Sequence, residues 1–363
     1  MADALTHRCP NCGGPLLFDP KDQKFHCEYC KSIFTEQEVT DFEAKQNEAH
    51  VNVEPTVEET EKVETPAMEQ ETEIGLFICP SCGAQIVTDT TTAATYCYYC
   101  HNPVVLSERL SGKFLPEKVL PFAIEKEEAI QKFLKWTKKK KFIPKDFFSQ
   151  KQIENLTGTY FPYWLVDSEL QGDLEANATN IRVWRVGETE YTETKQYHVK
   201  RGGKLSFKDL LKNALSKNVQ QKMVIGVQPF DLTKAVDFKS QYLSGFQAEK
   251  RDIEFQAIEK DVNNELKNYS QELLRNTVNG YATVTNVRSN VQEVQTTKNY
   301  VLLPLWILTY RQAGSKTVYY YAMNGQSGKV SGVLPISMKK LVLTGISIFA
   351  VLLILFLIGG YFL

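Results

Sequence analysis

CPNCG at residues 9–13, followed by CEYC at 27–30, recurs as CPSCG at 79–83 followed by CYYC at 97–100, seventy residues on and again with 14 residues between the pairs. The repeat uses all eight cysteines of the 363-residue chain: Cys9, Cys12, Cys27 and Cys30, then Cys79, Cys82, Cys97 and Cys100. A Cys-x-x-Cys on a tight turn directs two sulfurs at one ion, and two such knuckles close a tetrahedral thiolate shell. Gly13 and Gly83, directly after the first pairs, permit the left-handed backbone that a knuckle needs. A disulfide framework and a redox pair are the alternatives; both are disfavoured because no secretory signal is seen and no motif is left unpaired. Two structural Zn2+ ions are therefore expected, with iron in the same shell as the remaining alternative. Four thiolates leave no open coordination position, so neither ion is expected to activate water. Each ion would supply most of the folding free energy of its small module, roughly 10 to 16 kcal/mol.

At the other end, residues 341–363 read LVLTGISIFAVLLILFLIGGYFL, without a charge. As a helix this run extends about 34 Å, enough to cross a ~30 Å hydrocarbon core. Lys339 and Lys340 abut it and Lys329 lies just upstream. The positive-inside bias then predicts a single-pass cell-membrane protein with its bulk cytoplasmic and its C-terminus at the outer side. The span contains no Gly-x-x-x-Gly, so helix-driven pairing is not signalled.

Between the two cysteine sets, residues 35–75 hold thirteen acidic residues against Lys45 and Lys62. Such composition predicts a disordered acidic tether and a first ribbon that swings as a mobile head, with an exposed helix over 35–49 as the competing reading. Residues 113–337 alternate helix and strand text. Residues 125–137 put Ala129, Ile130, Phe133, Leu134 and Thr137 on one helical face, and 252–278 repeat the device. Strands are expected at 160–174, 181–186, 189–199, 281–294, 301–310 and 317–323, separated by Gly or Asn turns in the manner of antiparallel hairpins. Pro162-Tyr163-Trp164 and Pro304-Leu305-Trp306 each follow a helix, which suggests a duplicated unit. The expected fold is two tandem zinc-ribbon modules (1–34 and 76–112), the tether (35–75), a mixed α+β domain with antiparallel sheet (113–337) and one C-terminal transmembrane helix (338–363).

Tests for chemistry return nothing. GQSGKVSG at 325–332 lacks the phosphate-loop spacing and reads as a hairpin turn, and no His-Glu-x-x-His, Gly-x-Ser-x-Gly or Gly-x-Gly-x-x-Gly is present. The protein is therefore expected not to be an enzyme. Net charge is −1, and eight thiolates around two divalent ions would add four more negative charges. Residues 76–106 of the second ribbon hold no Lys or Arg, so that stretch cannot neutralise phosphates, and nucleic acid is disfavoured as a partner. Lys135, Lys138 to Lys141 and Lys145 make the one basic patch, suited to anionic headgroups or to a solvated helix end.

The doubled CPxCG…CxYC pattern, TYFPYWLVD at 159–167, LLPLWILTY at 302–310 and YAMNGQSGKVSGVLPIS before the terminal run together resemble one bacterial family. These are the YdjG-like membrane proteins with tandem transcription-factor-IIB-type zinc ribbons. The resemblance implies association with a phage-shock or envelope-stress system, in which a membrane component holds a PspA-like coiled-coil protein at the inner surface. It carries only the eight cysteines over as site residues. The expected function is a non-catalytic membrane-anchored adaptor that recruits protein partners, including a PspA-like protein and other membrane proteins. A membrane-tethered nucleic-acid-binding or transcription regulator is the alternative.

Overall fold

A computed structural model describes residues 4–50, 75–97, 100–138, 140, 142–144, 156–216, 225–311 and 318–362. The chain divides into two compact units, one of Met1–Pro162, Lys217–Lys250 and Leu302–Leu363, the other of Tyr163–Ser216 and Arg251–Val301. This division differs from the expected linear series of modules, because both cysteine sets share a unit with much of the α+β region, and the second unit is inserted.

In the first unit, β1 (Leu16–Asp19) and β2 (Lys24–Cys27) form an antiparallel hairpin that β3 (Ile33–Phe34) extends. Alternation buries Leu16 and Phe18 on one strand and Phe25 and Cys27 on the other. Helix α1 (Glu36–His50) follows at once. Its start is a capping box: the Thr35 amide donates to the Glu38 carboxylate at 2.8 Å, and the Glu38 amide to the Thr35 hydroxyl at 3.4 Å. The expectation of a disordered tether is therefore corrected over 36–50, and residues 51–74 lie outside the described residues.

The mobile-head expectation is corrected as well. The Phe18 amide donates to the Ser244 carbonyl at 3.1 Å, and the Phe18 ring packs edge-on against Tyr242 at 5.2 Å. Glu36 pairs with Lys239 and accepts from the Tyr242 hydroxyl at 2.8 Å, while Glu43 accepts from Gln241 at 2.8 Å and lies 2.6 Å from His7 Nδ1. The acidic residues read as solvated are thus paired across about two hundred residues of sequence.

The second cysteine set is carried by the hairpin β4 (Gly75–Ile78) and β5 (Gln85–Thr88) and the pair β6 (Thr92–Tyr96) and β7 (Pro103–Val105). Its core is Phe77, Ile86, Val104 and Leu106 around Cys79 and Cys97. Leu5 exchanges backbone hydrogen bonds with Val105 at 2.7 and 2.8 Å, which ties the N-terminal segment to this module.

The remaining elements are β8 (Lys118–Val119), α2 (Lys126–Lys138), β9 (Thr157–Val186), β10 (Thr189–Asn213), β11 (Val236–Asp237), β12 (Gln247–Glu249), α3 (Phe255–Asn276), β13 (Thr283–Arg311), β14 (Val318–Asn324), β15 (Val330–Gly332) and α4 (Met338–Phe362). In the first unit the strands run in the order β11-β8-β13-β9-β12-β6-β7, with β14 and β15 as a hairpin on β13. The pairing of β12 with β9 is parallel; the other pairings with a described register are antiparallel. The centre is aromatic. Phe122 stacks on Phe246 with centroids 4.2 Å apart, and meets Tyr160 and Trp306 edge-on at 5.0 and 5.2 Å. Gly158 leaves room for this cluster, since a Cβ there would lie 2.6 Å from the Phe246 ring.

In the second unit β9 lies between β10 and β13, and α3 packs Leu274 against Leu174 and Ala176. The Arg251 guanidinium lies 4.8 Å from the Trp164 ring centre and 5.5 Å from that of Tyr300, and pairs with Glu254 at 2.6 Å. Here the expected separate strands merge: β9 and β13 are continuous over 30 and 29 residues. Gly172, inside the strand expected at 160–174, is an in-strand packing residue, because a Cβ there would meet the Leu274 and Leu205 side chains at 2.8 and 3.0 Å.

One hydrogen-bond frame occurs in both units. Trp306 Nε1 donates to the Ile124 carbonyl at 3.0 Å, two residues before α2, and Trp164 Nε1 to the Ile253 carbonyl at 3.0 Å, two residues before α3. The residue before each tryptophan pairs with an asparagine, Leu305 with Asn324 and Tyr163 with Asn213. The carbonyl after each asparagine accepts from the helix lead-in, Gly325 from Ala123 at 3.0 Å and Ala214 from Asp252 at 3.0 Å. The frame crosses the order read from sequence: each lead-in receives the tryptophan of the other repeat.

Candidate metal centres

The two Cys-x-x-Cys pairs of each copy converge. In both sets, Cys9, Cys12, Cys27 and Cys30, and Cys79, Cys82, Cys97 and Cys100, the four sulfurs lie within 4.8 Å of one another. Measured edges are 3.5 Å for Cys9 to Cys30 and for Cys12 to Cys27, and 3.7 Å for Cys79 to Cys100 and for Cys82 to Cys97. A disulfide requires about 2.05 Å. A tetrahedron with metal–sulfur bonds of about 2.3 Å has edges near 3.8 Å, so the donor set fits a four-thiolate ion. Both clusters are consistent with zinc.

The backbone explains the convergence. The Cys9 amide donates to the Gly14 carbonyl at 2.7 Å and the Gly13 amide back to the Cys9 carbonyl at 2.9 Å; Cys79, Ala84 and Gly83 repeat this at 2.8 and 2.9 Å. Gly13 and Gly83 both have φ of 73°, the left-handed conformation expected of them. The second knuckles close in the same way, Lys31 to Cys27 and His101 to Cys97, each at 2.9 Å. Lys31 and His101 take φ of 60° and 59°. Sequence reasoning passes over these two positions, because the left-handed residue there is not glycine.

Burial is graded across each centre. Cys9, Cys27, Cys79 and Cys97 are buried, Cys12, Cys30 and Cys82 are exposed, and Cys100 is intermediate. Without a counter-charge the thiols resist joint ionisation. The Gly14 amide pulls the Cys12 thiol down, but the neighbouring Cys27 and Cys30 sulfurs outweigh it and push it up to about 12. Burial, then crowding by Cys82, pushes Cys100 up to about 12, while hydrogen bonding by Ser32 holds Cys30 near 6. A divalent cation is the partner that lets all four ionise together.

Asp19, Asp22 and His26 also cluster at the β1–β2 turn, where His26 Nε2 lies 2.9 Å from the Asp22 carboxylate. A cleft of about 990 Å³ opens beside the first centre, lined by Leu17, Phe18 and Lys31, by His101 from the second knuckle of the other centre, and by Phe246 and Trp306. Tyr96, Tyr98 and Tyr99 suit a protein partner by composition, but the Tyr96 hydroxyl is held within the first unit, donating to the Gly245 carbonyl. Tyr98 and Tyr99 lie outside the described residues.

The chain is 29% identical over 364 residues to a Bacillus subtilis (strain 168) protein named uncharacterized protein YdjG, with 99% of each chain covered. The similarity runs along nearly the whole of both chains. No family model and no solved structure matches it. YdjG is itself uncharacterised, so the likeness bears on architecture and carries no activity.

Proposed function

We propose that this YdjG-like protein is a non-catalytic adaptor, anchored in a membrane by α4, whose two metal centres shape a rigid protein-binding surface. The observation that carries the reading is the state of α4. Met338–Leu357 is long and apolar enough to cross a bilayer, and none of that window is buried by the rest of the chain. Phe349 and Phe356 are 67% and 77% exposed. A core helix would be covered, and an uncovered apolar surface of this size needs a non-aqueous environment. Closed four-thiolate centres favour a structural role, and the cleft joining apolar residues to both second knuckles is a surface such a role could use. The lysines beside α4 favour a cytoplasmic bulk. A PspA-like coiled-coil protein is the first candidate partner.

Crosslinking in intact membranes followed by affinity isolation tests this, comparing the full chain with one ending at Ser337. Recovery of a protein partner by the anchored form alone is expected, and Cys97→Ser with Cys100→Ser should release it while α4 stays inserted. Recovery of nucleic acid by both forms would replace the adaptor with the regulator reading.

A further inference from the structure

Residues 129–144 contain six lysines and no carboxylate, and no Asp or Glu follows Glu293. Two contacts within the first unit join these acid-free stretches. The Ser337 amide donates to the Phe142 carbonyl at 2.7 Å, and the Lys340 ammonium to the Ile143 carbonyl at 2.6 Å. Here α4 begins, for the Leu341 amide already bonds the Ser337 carbonyl at 3.0 Å. Lys135 and Lys138 in the last turn of α2, and Lys140 after it, are exposed and lie a few residues from this junction, as does exposed Lys339. The dipole at the end of α2 favours Lys135 and Lys138. It accounts for neither Lys140 and Lys339 nor the tether to α4. Glu128 lines one groove with Lys135 and Lys138 but is paired with Lys132 at 3.2 Å; like charges left in excess repel unless an anion faces them, and at the foot of an apolar helix the anion at hand is a headgroup phosphate.

We propose that Lys135, Lys138, Lys140 and Lys339 form a binding surface for the anionic headgroups of phospholipids where α4 enters the bilayer. The proposal rests on the reading that α4 crosses the membrane. Half-buried Trp136 lies among these lysines, and tryptophan is enriched at headgroup level. Each lysine near an anionic surface is worth roughly a factor of five in binding, so replacing three should remove on the order of 100-fold.

The test uses the full chain in a non-ionic detergent, with acyl-labelled phosphatidylglycerol and phosphatidylcholine as probes. Phosphatidylglycerol should be retained preferentially, less so at high salt. Lys135→Ser/Lys138→Ser/Lys140→Ser should abolish the preference, while Arg at the same positions and Lys195→Ser/Lys200→Ser/Lys204→Ser on β10 should keep it. Equal retention of the two lipids, an unchanged triple variant, or displacement of the lipid by inorganic phosphate or a short RNA at equal concentration would overturn the proposal. Alkaline extraction of membranes tests the span separately. Release of the wild-type protein overturns the span, whereas loss of lipid preference in a protein that resists extraction overturns only the headgroup surface.

Discussion

Trp306 and Ile124 are 182 residues apart in sequence and joined by a buried indole-to-carbonyl hydrogen bond of 3.0 Å. Trp164 makes the matching bond to Ile253, also at 3.0 Å, but Ile253 is only half-buried whereas Ile124 is 4% exposed. Replacing Trp306 by Phe strands a carbonyl away from water and should cost about 2 to 3 kcal/mol, while Trp164→Phe should cost about 1 kcal/mol. Denaturant titration of the two variants checks the ranking; equal losses would show that the surrounding packing sets the cost.

Asn324 is fully buried. Its amide donates to the Val227 and Pro229 carbonyls at 3.1 and 3.0 Å, and its side-chain oxygen accepts from the Gln326 and Ser327 amides at 2.8 and 2.9 Å. Asn324→Asp turns two donations into repulsions and should destabilise the first unit by roughly 3 kcal/mol or more. Thermal unfolding at neutral pH reads this, with partial recovery expected in acid as the carboxyl regains a proton.

Removing metal should reach beyond the two ribbons. Metal analysis is expected to give two zinc ions per chain, falling to one in Cys27→Ser. Because Phe18 is bonded to Ser244 and packed on Tyr242, amide exchange should speed up in 239–246 and in α1 as well as at the first centre. Unchanged exchange in 239–246 after metal loss would show that this docking is independent of the ion.

Docking of α1 should be lost in acid. Lys239, and less so Tyr242, hold the Glu36 carboxyl below its ordinary range; at Glu43 burial works upward, but His7 and Gln241 outweigh it and the net shift is downward. A carboxylate with a depressed folded pKa stabilises above its unfolded value, near 4.3, and loses that contribution as pH falls through the folded value. Protection of α1 should therefore hold from pH 7 to about 5 and fall below 4. Glu43→Gln should flatten this dependence at a cost of ~1 kcal/mol at neutral pH.

The cysteine sets and the terminal apolar run were legible because each depends on residues close in sequence. Cys9 to Cys30 and Cys79 to Cys100 each span 22 residues, and the sets pair as the spacing implies. Helix α1 was half-legible. Thr35-x-x-Glu38 is a capping signal, but acidic composition argued for a solvated chain, and Lys239 and Gln241, which reverse that argument, lie two hundred residues away. The full length of β9 was hidden because Asn180 resembles a turn residue, and its role comes from a tertiary neighbour, the Ala282 amide donating to it at 2.8 Å. The exchanged tryptophans could not be read at all, since nothing local specifies which lead-in each indole reaches.

The discontinuity of the first unit dictates an order of assembly. Each cysteine centre closes over 22 residues and can form early, and the second unit has all its parts once residue 301 exists. The first unit must wait for Leu302 onward, including Trp306 and Asn324, before α2 finds its strand. During synthesis the N-terminal half is thus left with metal centres formed and an apolar sheet open, a vulnerable interval of the sort that non-local pairing prolongs and chaperones cover.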